Sequence, residues 1–331
     1  MKTISFASVL LLFAGLAYAE APRYKADKGP AEVITYTAEL RDAKRERDVP
    51  IRVYQPKTLD AAAPVILVSH GLGGSREGYK YLGEHWASYG YVCVHLQHVG
   101  SDSEALKDGL RSMNKAAADP RNSINRPLDV SFAIDTLEQV NAGKGPKELA
   151  GLKDKIDLKH IGVAGHSFGA YTVNAVVGLR FTASRDRNLE DKRISAALSM
   201  SSPVPNKKAN ADLDFSFGAI TVPVLHMTGT KDDSPINDTK AAERRLPYDH
   251  STAKGTMLVT FNGGDHMIFS GRLRRAANDE QKKNDDRFHD LIKQSSTAYF
   301  DWLLKDDDKA KAYLFSDFKT TAGTTAVVES K

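Results

Sequence analysis

The chain has 331 residues, of which 41% are hydrophobic, 27% charged and 8% aromatic. These are ordinary globular values, and they exclude collagen-like, fibrous and wholly disordered chains. Lys and Arg total 46 against 42 Asp and Glu, a formal charge of +4. That excess is too thin to imply a nucleic-acid partner, and the single cysteine, Cys93, excludes an intrachain disulfide and a cysteine-built metal site.

Residues 1–19 read as an export signal. Lys2 supplies a positive start, an apolar stretch too short to span a bilayer follows, and Ala17-Tyr18-Ala19 is an A-x-A cleavage site. Cleavage after Ala19 predicts a secreted or periplasmic protein with no stable membrane anchor. Residues 20–31, polar with Pro22 and Pro30, read as a linker, 32–312 as a single domain and 313–331 as a frayed polar tail. Apolar–polar alternation over 32–55 predicts two antiparallel strands. The run at 63–70 is continuously apolar and stops at glycines, and similar runs recur at 91–96, 160–164, 194–200, 222–228 and 257–261. Unbroken apolar runs belong to strands buried on both faces, hence to a parallel sheet. Helix-like segments at 78–89, 126–141, 168–180, 237–246 and 285–305 alternate with them. The fold class is therefore α/β, a mostly parallel sheet with helices on both faces and an antiparallel N-terminal strand pair. Two polar excursions, 101–125 and 203–220, start after strand C-termini, where open parallel sheets bind ligands; each reads equally well as plain surface loop.

Gly165-His166-Ser167-Phe168-Gly169 fits G-x-S-x-G. The motif carries weight only where it follows a strand and opens a helix, and here a strand run precedes it and A-Y-T-V-N-A-V-V follows. On so sharp a turn, side chains two residues either side of the serine would clash, hence the glycines. The hydroxyl is a weak nucleophile until a base takes its proton, and a triad on such a scaffold runs Ser, Asp or Glu, then His. Four histidines follow Ser167. His226 lies in an apolar strand run and reads as core; His250 and His289 stand in charged, solvated surroundings. His266 follows the last strand directly, and Gly263-Gly264 lets the chain carry it over the sheet edge. The acid belongs after the run at 222–228, where Asp232 and Asp233 are neighbours. The spacing from Gly229 favours Asp232, with the other left to cap the next helix and Asp265 in third place. An oxyanion needs two donors: the Phe168 amide and one from H-G-L-G-G at 70–74, taken as Leu72. A phosphate cradle is the weaker reading of that loop, because no G-x-x-x-x-G-K-[ST] is present and Arg76 interrupts G-x-G-x-x-G.

Phe168, Tyr171, Phe215 and Phe217 are candidate walls of an apolar acyl pocket and equally candidates for core. His95 and His98 in H-L-Q-H point to opposite faces if the strand continues, and no cysteine or carboxylate cluster accompanies them, so no metal is expected, nor any cofactor. Trp86, Trp302 and Cys93 read as packing, Arg272, Arg274 and Arg275 as a solvated face, and Asn237-Asp238-Thr239 as a sequon relevant only in a glycosylating host.

With S-H-G-L-G-G-S-R-E-G-Y, H-L-Q-H-V-G-S-D, V-A-G-H-S-F-G-A, L-H-M-T-G-T-K-D-D and G-G-D-H-M in view, the chain resembles the α/β-hydrolase superfamily over roughly residues 30–305. Within it, the chain looks like the exported group related to dienelactone hydrolases and platelet-activating-factor acetylhydrolases. The resemblance implies Ser167 as nucleophile, Asp232 as acid, His266 as base, and the Leu72 and Phe168 amides as oxyanion hole. Dienelactone hydrolases proper use a cysteine nucleophile, and Ser167 in its place argues for ordinary ester hydrolysis. The expected function is an exported serine carboxylic-ester hydrolase working through an acyl-enzyme. Short-chain soluble esters are favoured, since no long apolar insertion resembles an interfacial lid. Lipid acetyl esters, polyesters, amides and peptides fit the same triad, and a non-catalytic binding module is the reading from another class. The expected partner is a small-molecule or lipid ester, not nucleic acid.

Overall fold

The structure is a computed structural model, and it describes residues 24, 26–107, 109–204, 212–236, 238–271 and 278–331. The export signal expected at 1–19, Asn237, and Arg272, Arg274 and Arg275 lie outside the described residues. In chain order the elements are β1 (Val33–Asp42), β2 (Arg47–Pro56), β3 (Ala63–Ser69), α1 (Lys80–Ser88), β4 (Val92–Leu96), α2 (Leu110–Ala118), α3 (Pro120–Asn141), β5 (Ile156–His166), α4 (Phe168–Val176), β6 (Ile194–Met200), α5 (Leu213–Phe217), β7 (Val224–Lys231), α6 (Leu246–Asp249), β8 (Met257–Asp265), α7 (Asp279–Leu304), α8 (Asp308–Phe315), α9 (Asp317–Ala322) and β9 (Ala326–Ser330).

Among the described residues nine strands form one sheet in the order β1-β2-β4-β3-β5-β6-β7-β8-β9. β3 to β8 run parallel to one another; β1 and β2 form the antiparallel N-terminal pair, and β2 joins β4 antiparallel. Every residue of β3 and of β4 is buried, which explains their unbroken apolar runs. Alternate side chains feed two cores. Ile66 and Val68 face Trp86 of α1 and Leu291, Ile292 and Phe300 of α7. Val65 and Leu67 face Val130 and Ile134 of α3 and Val173 of α4. Helices thus cover both faces, and this is the α/β-hydrolase arrangement.

Several expected boundaries shift. Asp119-Pro120, inside the excursion expected at 101–125, starts α3: the Asp119 carboxylate accepts the Arg121 N–H and Pro120 takes the first helical position. α7 begins at Asp279, not 285, behind a capping box of Asn278 and Gln281. The segment 237–246 yields only a short 3-10 turn at Ala241–Glu243 and then α6.

The largest correction is the tail, 313–331, expected to be frayed. Phe318 and Ala322 of α9 are buried, and β9 closes the sheet, pairing antiparallel with β8 from Ala326 opposite Phe261 to Ser330 opposite Met257. Lys331 Nζ then donates to the carbonyls of Tyr248, Asp249 and Ser251 at the end of α6. The expected linker, 20–31, is also bound where it is described. Gly29 N–H donates to Ser88 Oγ, Ala31 N–H to the Ser88 carbonyl, and Tyr24 O–H to Asp301 Oδ2. Among the described residues no helix is long and apolar enough to cross a membrane.

Candidate active site

β5 ends at His166 and α4 begins at Phe168, so Ser167 makes the whole turn by itself, at φ 56° and ψ −118°. That conformation is strained for a residue with a Cβ. The flanking glycines have the expected steric cause: a Cβ on Gly165 would overlap the Gly169 carbonyl, and one on Gly169 would overlap the Ser69 carbonyl of β3. The turn is pinned to the next strand by Ser167 N–H donating to the Met200 carbonyl, 2.9 Å away.

Two more loops leave the same sheet edge. A Cβ on Gly229 would overlap the Gly264 carbonyl, so the ends of β7 and β8 approach more closely than side chains permit, and Gly263 turns at φ 78°. The loops they carry bring Asp232 and His266 together. His266 Nδ1–H donates to Asp232 Oδ1 at 2.7 Å, and Ser167 O–H donates to His266 Nε2 at 3.0 Å. Asp232 is fully buried, and its second oxygen accepts from Ser201 Oγ at 2.6 Å and Thr228 Oγ1 at 2.9 Å. Asp233 points outward and accepts the Ala241 N–H at the start of the 3-10 turn; Asp265 folds back on the Met267 N–H. The geometry therefore separates the two neighbouring carboxylates that the sequence left open.

The loop after β3 is a tight turn closed by Gly74 N–H to the Gly71 carbonyl, with Gly73 at φ 70°. Gly71 sits against Ser167: a Cβ there would lie 3.5 Å from Ser167 Cβ. Leu72 and Ser167 line a common cavity of about 250 Å³, with Tyr79, Met113, Ile236, His266 and Met267. Larger surface clefts, about 510 Å³ along Glu39, Arg41 and Glu104 and about 470 Å³ along Glu84, His85 and His289, hold none of Ser167, Asp232 and His266.

The aromatic residues expected to line an acyl pocket do not line this cavity. Phe217 is core beneath the sheet, Phe215 lies under the Arg185 guanidinium, and the Tyr171 hydroxyl donates to the Ser123 carbonyl. Phe168 turns its ring under Arg126, 4.5 Å from the guanidinium carbon. The cavity is walled instead by Met113 of α2, by Pro235 and Ile236, and by Met267.

Further residues escaped the sequence reading. Arg244 is buried, donates to the carbonyls of Ser201, Ser202 and Asp232, and lies 3.5 Å from Asp232 Oδ1. Its Nη2 comes within 3.4 Å of His266 Nδ1, a contact of two donors, since that Nδ1 proton already goes to Asp232. Arg126 is fully buried and binds the His70 carbonyl, Ser101 Oγ and Thr172 Oγ1; burial pulls it down to about 9. His98, considered for a metal, lies past the end of β4. It donates from Nδ1 to Asp129 Oδ2 at 2.9 Å and accepts from Ser69 Oγ at Nε2 at 2.7 Å. Burial pulls His98 down to about 4. For Asp129 burial pushes up, but hydrogen bonds from His98 and Arg47 outweigh it and leave the carboxyl at about 2. His95 is buried with Nδ1 2.9 Å from the Gly78 carbonyl. Among the described residues no cluster of three or more His, Cys, Asp or Glu is arranged to hold a metal ion. His226 is buried in β7 as expected. His289, expected to be solvated, is half-buried against the Ile268 carbonyl.

A family model described as platelet-activating factor acetylhydrolase, isoform II, matches residues 45–189. That span carries Leu72 and Ser167 and stops before Asp232 and His266. Proteins named platelet-activating factor acetylhydrolase are similar to the chain. The one from Canis lupus familiaris is 26% identical over 236 residues, 62% of this chain and 48% of the relative. The one from Cavia porcellus is 26% identical over 148 residues, 38% and 34%. The one from Bos taurus is 29% identical over 136 residues, 33% and 31%. The chain thus spans about a third to a half of the length of the curated relatives it matches.

Proposed function

We propose that this chain, a member of the α/β-hydrolase superfamily, is a serine hydrolase of carboxylic esters. The observation that carries the proposal is the continuous path from Ser167 Oγ through His266 to Asp232, with links of 3.0 and 2.7 Å, opening onto the cavity beside Leu72. In the proposed reaction Ser167 Oγ attacks the ester carbonyl while His266 Nε2 takes its proton. Asp232 holds the Nδ1–H tautomer and stabilises the imidazolium. The carbonyl oxygen, now negative, is received by the Leu72 and Phe168 amides, each worth about 3–4 kcal/mol to the transition state. His266 returns the proton to the departing alcohol, and water activated by the same imidazole clears the acyl-enzyme.

The substrate proposed is an ester with a short acyl group. Support comes from the small cavity, walled by Leu72, Met113, Ile236 and Met267, and from the acetylhydrolase names of the relatives. Acetyl esters of lipids are the natural extension of those names. Export through the 1–19 leader is part of the same proposal.

A chain-length series of p-nitrophenyl esters, run beside fluorophosphonate labelling, tests it. Labelling at Ser167 and a kcat/KM maximum at two to four acyl carbons are expected. Preference for long acyl chains would overturn the short-chain assignment. A folded protein that neither labels nor turns over any ester would point to a binding module.

A further inference from the structure

Resting on the functional reading above, we infer that Tyr79 is a positioning residue that ties the oxyanion loop and the catalytic base into one frame through His166. The atoms that join them form an unbroken hydrogen-bond chain, and its proton directions follow from the partners alone. His166 Nε2 lies 2.9 Å from the His266 carbonyl oxygen, which can only accept, so Nε2 carries the proton. In the neutral ring Nδ1 is then an acceptor, and Tyr79 O–H, 2.9 Å away, donates to it. The Tyr79 oxygen in turn accepts the Gly71 N–H at 3.2 Å. One end of the chain is the backbone one residue before Leu72, and the other is the backbone of His266 itself.

Two further features of the site fit this role. His166 is 4% exposed, and its ring packs 4.7 Å from that of His266. Burial and the His266 charge hold it well below the usual histidine range, so it stays neutral when His266 becomes positive during the reaction. Tyr79 itself occupies the position before α1 in the left-handed region, φ 59° and ψ 24°, and makes no capping bond with its side chain. A short polar residue would suit that position better, in conformation and as a cap. The strain is kept in a residue whose hydroxyl lies within van der Waals reach of a Cβ placed on Gly71, at the wall of the catalytic cavity.

The Gly73 N–H holds one side of the glycine-rich loop to the Ser101 carbonyl, and the Tyr79 hydroxyl holds the side next to Ser167, where displacements near 1 Å cost about a hundredfold in rate. Tyr79→Phe keeps the ring and deletes only the hydroxyl. With p-nitrophenyl acetate, kcat is expected to fall by about tenfold to a hundredfold with KM within about threefold, and affinity for an alkyl trifluoromethyl ketone, which forms a tetrahedral adduct, to fall by the same factor as kcat/KM. His166→Gln is expected to show a similar loss, and the double variant to be no worse than the worse single one, as for members of one chain. Val49→Ala, in buried β2, is the stability control: it should lower the unfolding midpoint and leave kcat unchanged. If Tyr79→Phe keeps kcat within twofold, or changes KM alone, the inference fails even if the His166 variant does not fold. If the unmodified protein is not labelled at Ser167 by a fluorophosphonate, the functional reading fails instead.

Discussion

Among the described residues two Ser–His–Asp chains run with the same atoms in the same order. In one, Ser167 O–H donates to His266 Nε2 at 3.0 Å and His266 Nδ1–H to Asp232 at 2.7 Å. In the other, Ser69 O–H donates to His98 Nε2 at 2.7 Å and His98 Nδ1–H to Asp129 at 2.9 Å. Their surroundings differ. Ser69 ends a regular strand with its hydroxyl sealed under Arg126, and all three residues are fully buried. Asp129 is also clamped by Arg45 and Arg47. Ser167 stands on a strained turn at the wall of a cavity, with the glycine loop opposite. Three side chains in hydrogen-bond order therefore do not make a reactive site. A reactive site also needs access for a substrate and donors aimed at a developing oxyanion; of the two chains only the one at Ser167 meets a cavity, and the other lies at the base of the glycine loop.

The sharpest break of this comparison is the pair of serine variants. Ser167→Ala should lower ester turnover by about 10⁴-fold or more and abolish fluorophosphonate labelling, as loss of a triad nucleophile does. Ser69→Ala should keep labelling and lose at most about tenfold; equal losses at both serines would erase the distinction. Next come the acids. Asp232→Asn should cost about 10⁴-fold in kcat by holding the wrong tautomer. Asp129→Asn should instead leave Arg45 and Arg47 facing an uncompensated site and cost about 3–5 kcal/mol of stability in denaturant melts.

A pH experiment probes the buried side of the comparison. Burial holds His98 and His95 at about 4 and His226 at about 3, below the ordinary 6.5. The unfolded chain takes up protons that the folded chain refuses, so their contribution is fully present above about pH 6.5 and declines as pH falls toward 4. His70 and His166, held well below the ordinary range by burial, add to the same effect, so denaturant midpoints should drop steadily from pH 7 to pH 5, with uptake of about five protons on unfolding near pH 5; a flat profile would contradict the neutral, buried assignment. The smallest effects belong to the walls. Ile236→Ala and Met113→Ala should shift the preferred acyl length upward, with few-fold changes in kcat/KM. Phe215→Ala should leave the chain-length profile unchanged, because its ring packs under Arg185 and outside the cavity.

The N-terminal half of the site was open to sequence reading because each feature there is local. Gly165 and Gly169 are demanded by contacts of the turn itself and of β3, and H-G-L-G-G follows its strand directly. His266 emerged by elimination, since a glycine pair after the last apolar run is a local signal too. The aromatic residues stayed open between pocket wall and core for the opposite reason. Phe217 and Met113 are both merely apolar in sequence, and only packing decides that the first goes to the core and the second to the cavity. Likewise 313–331 looks polar, yet its backbone pairs with β8, a partner roughly seventy residues away in the chain.

Residue pattern alone determined the parallel α/β sheet, the strained serine turn and the order Ser, Asp, His, because strand burial and tight turns leave their mark within a few positions. Tertiary structure decided which carboxylate meets the imidazole, which serine opens onto a cavity, and that Tyr79, Arg126 and Arg244 surround the site. Those outcomes depend on distances between loops that the chain brings together only when the sheet is complete, and hydrogen bonds of about 3 Å between such loops have no counterpart in sequence spacing.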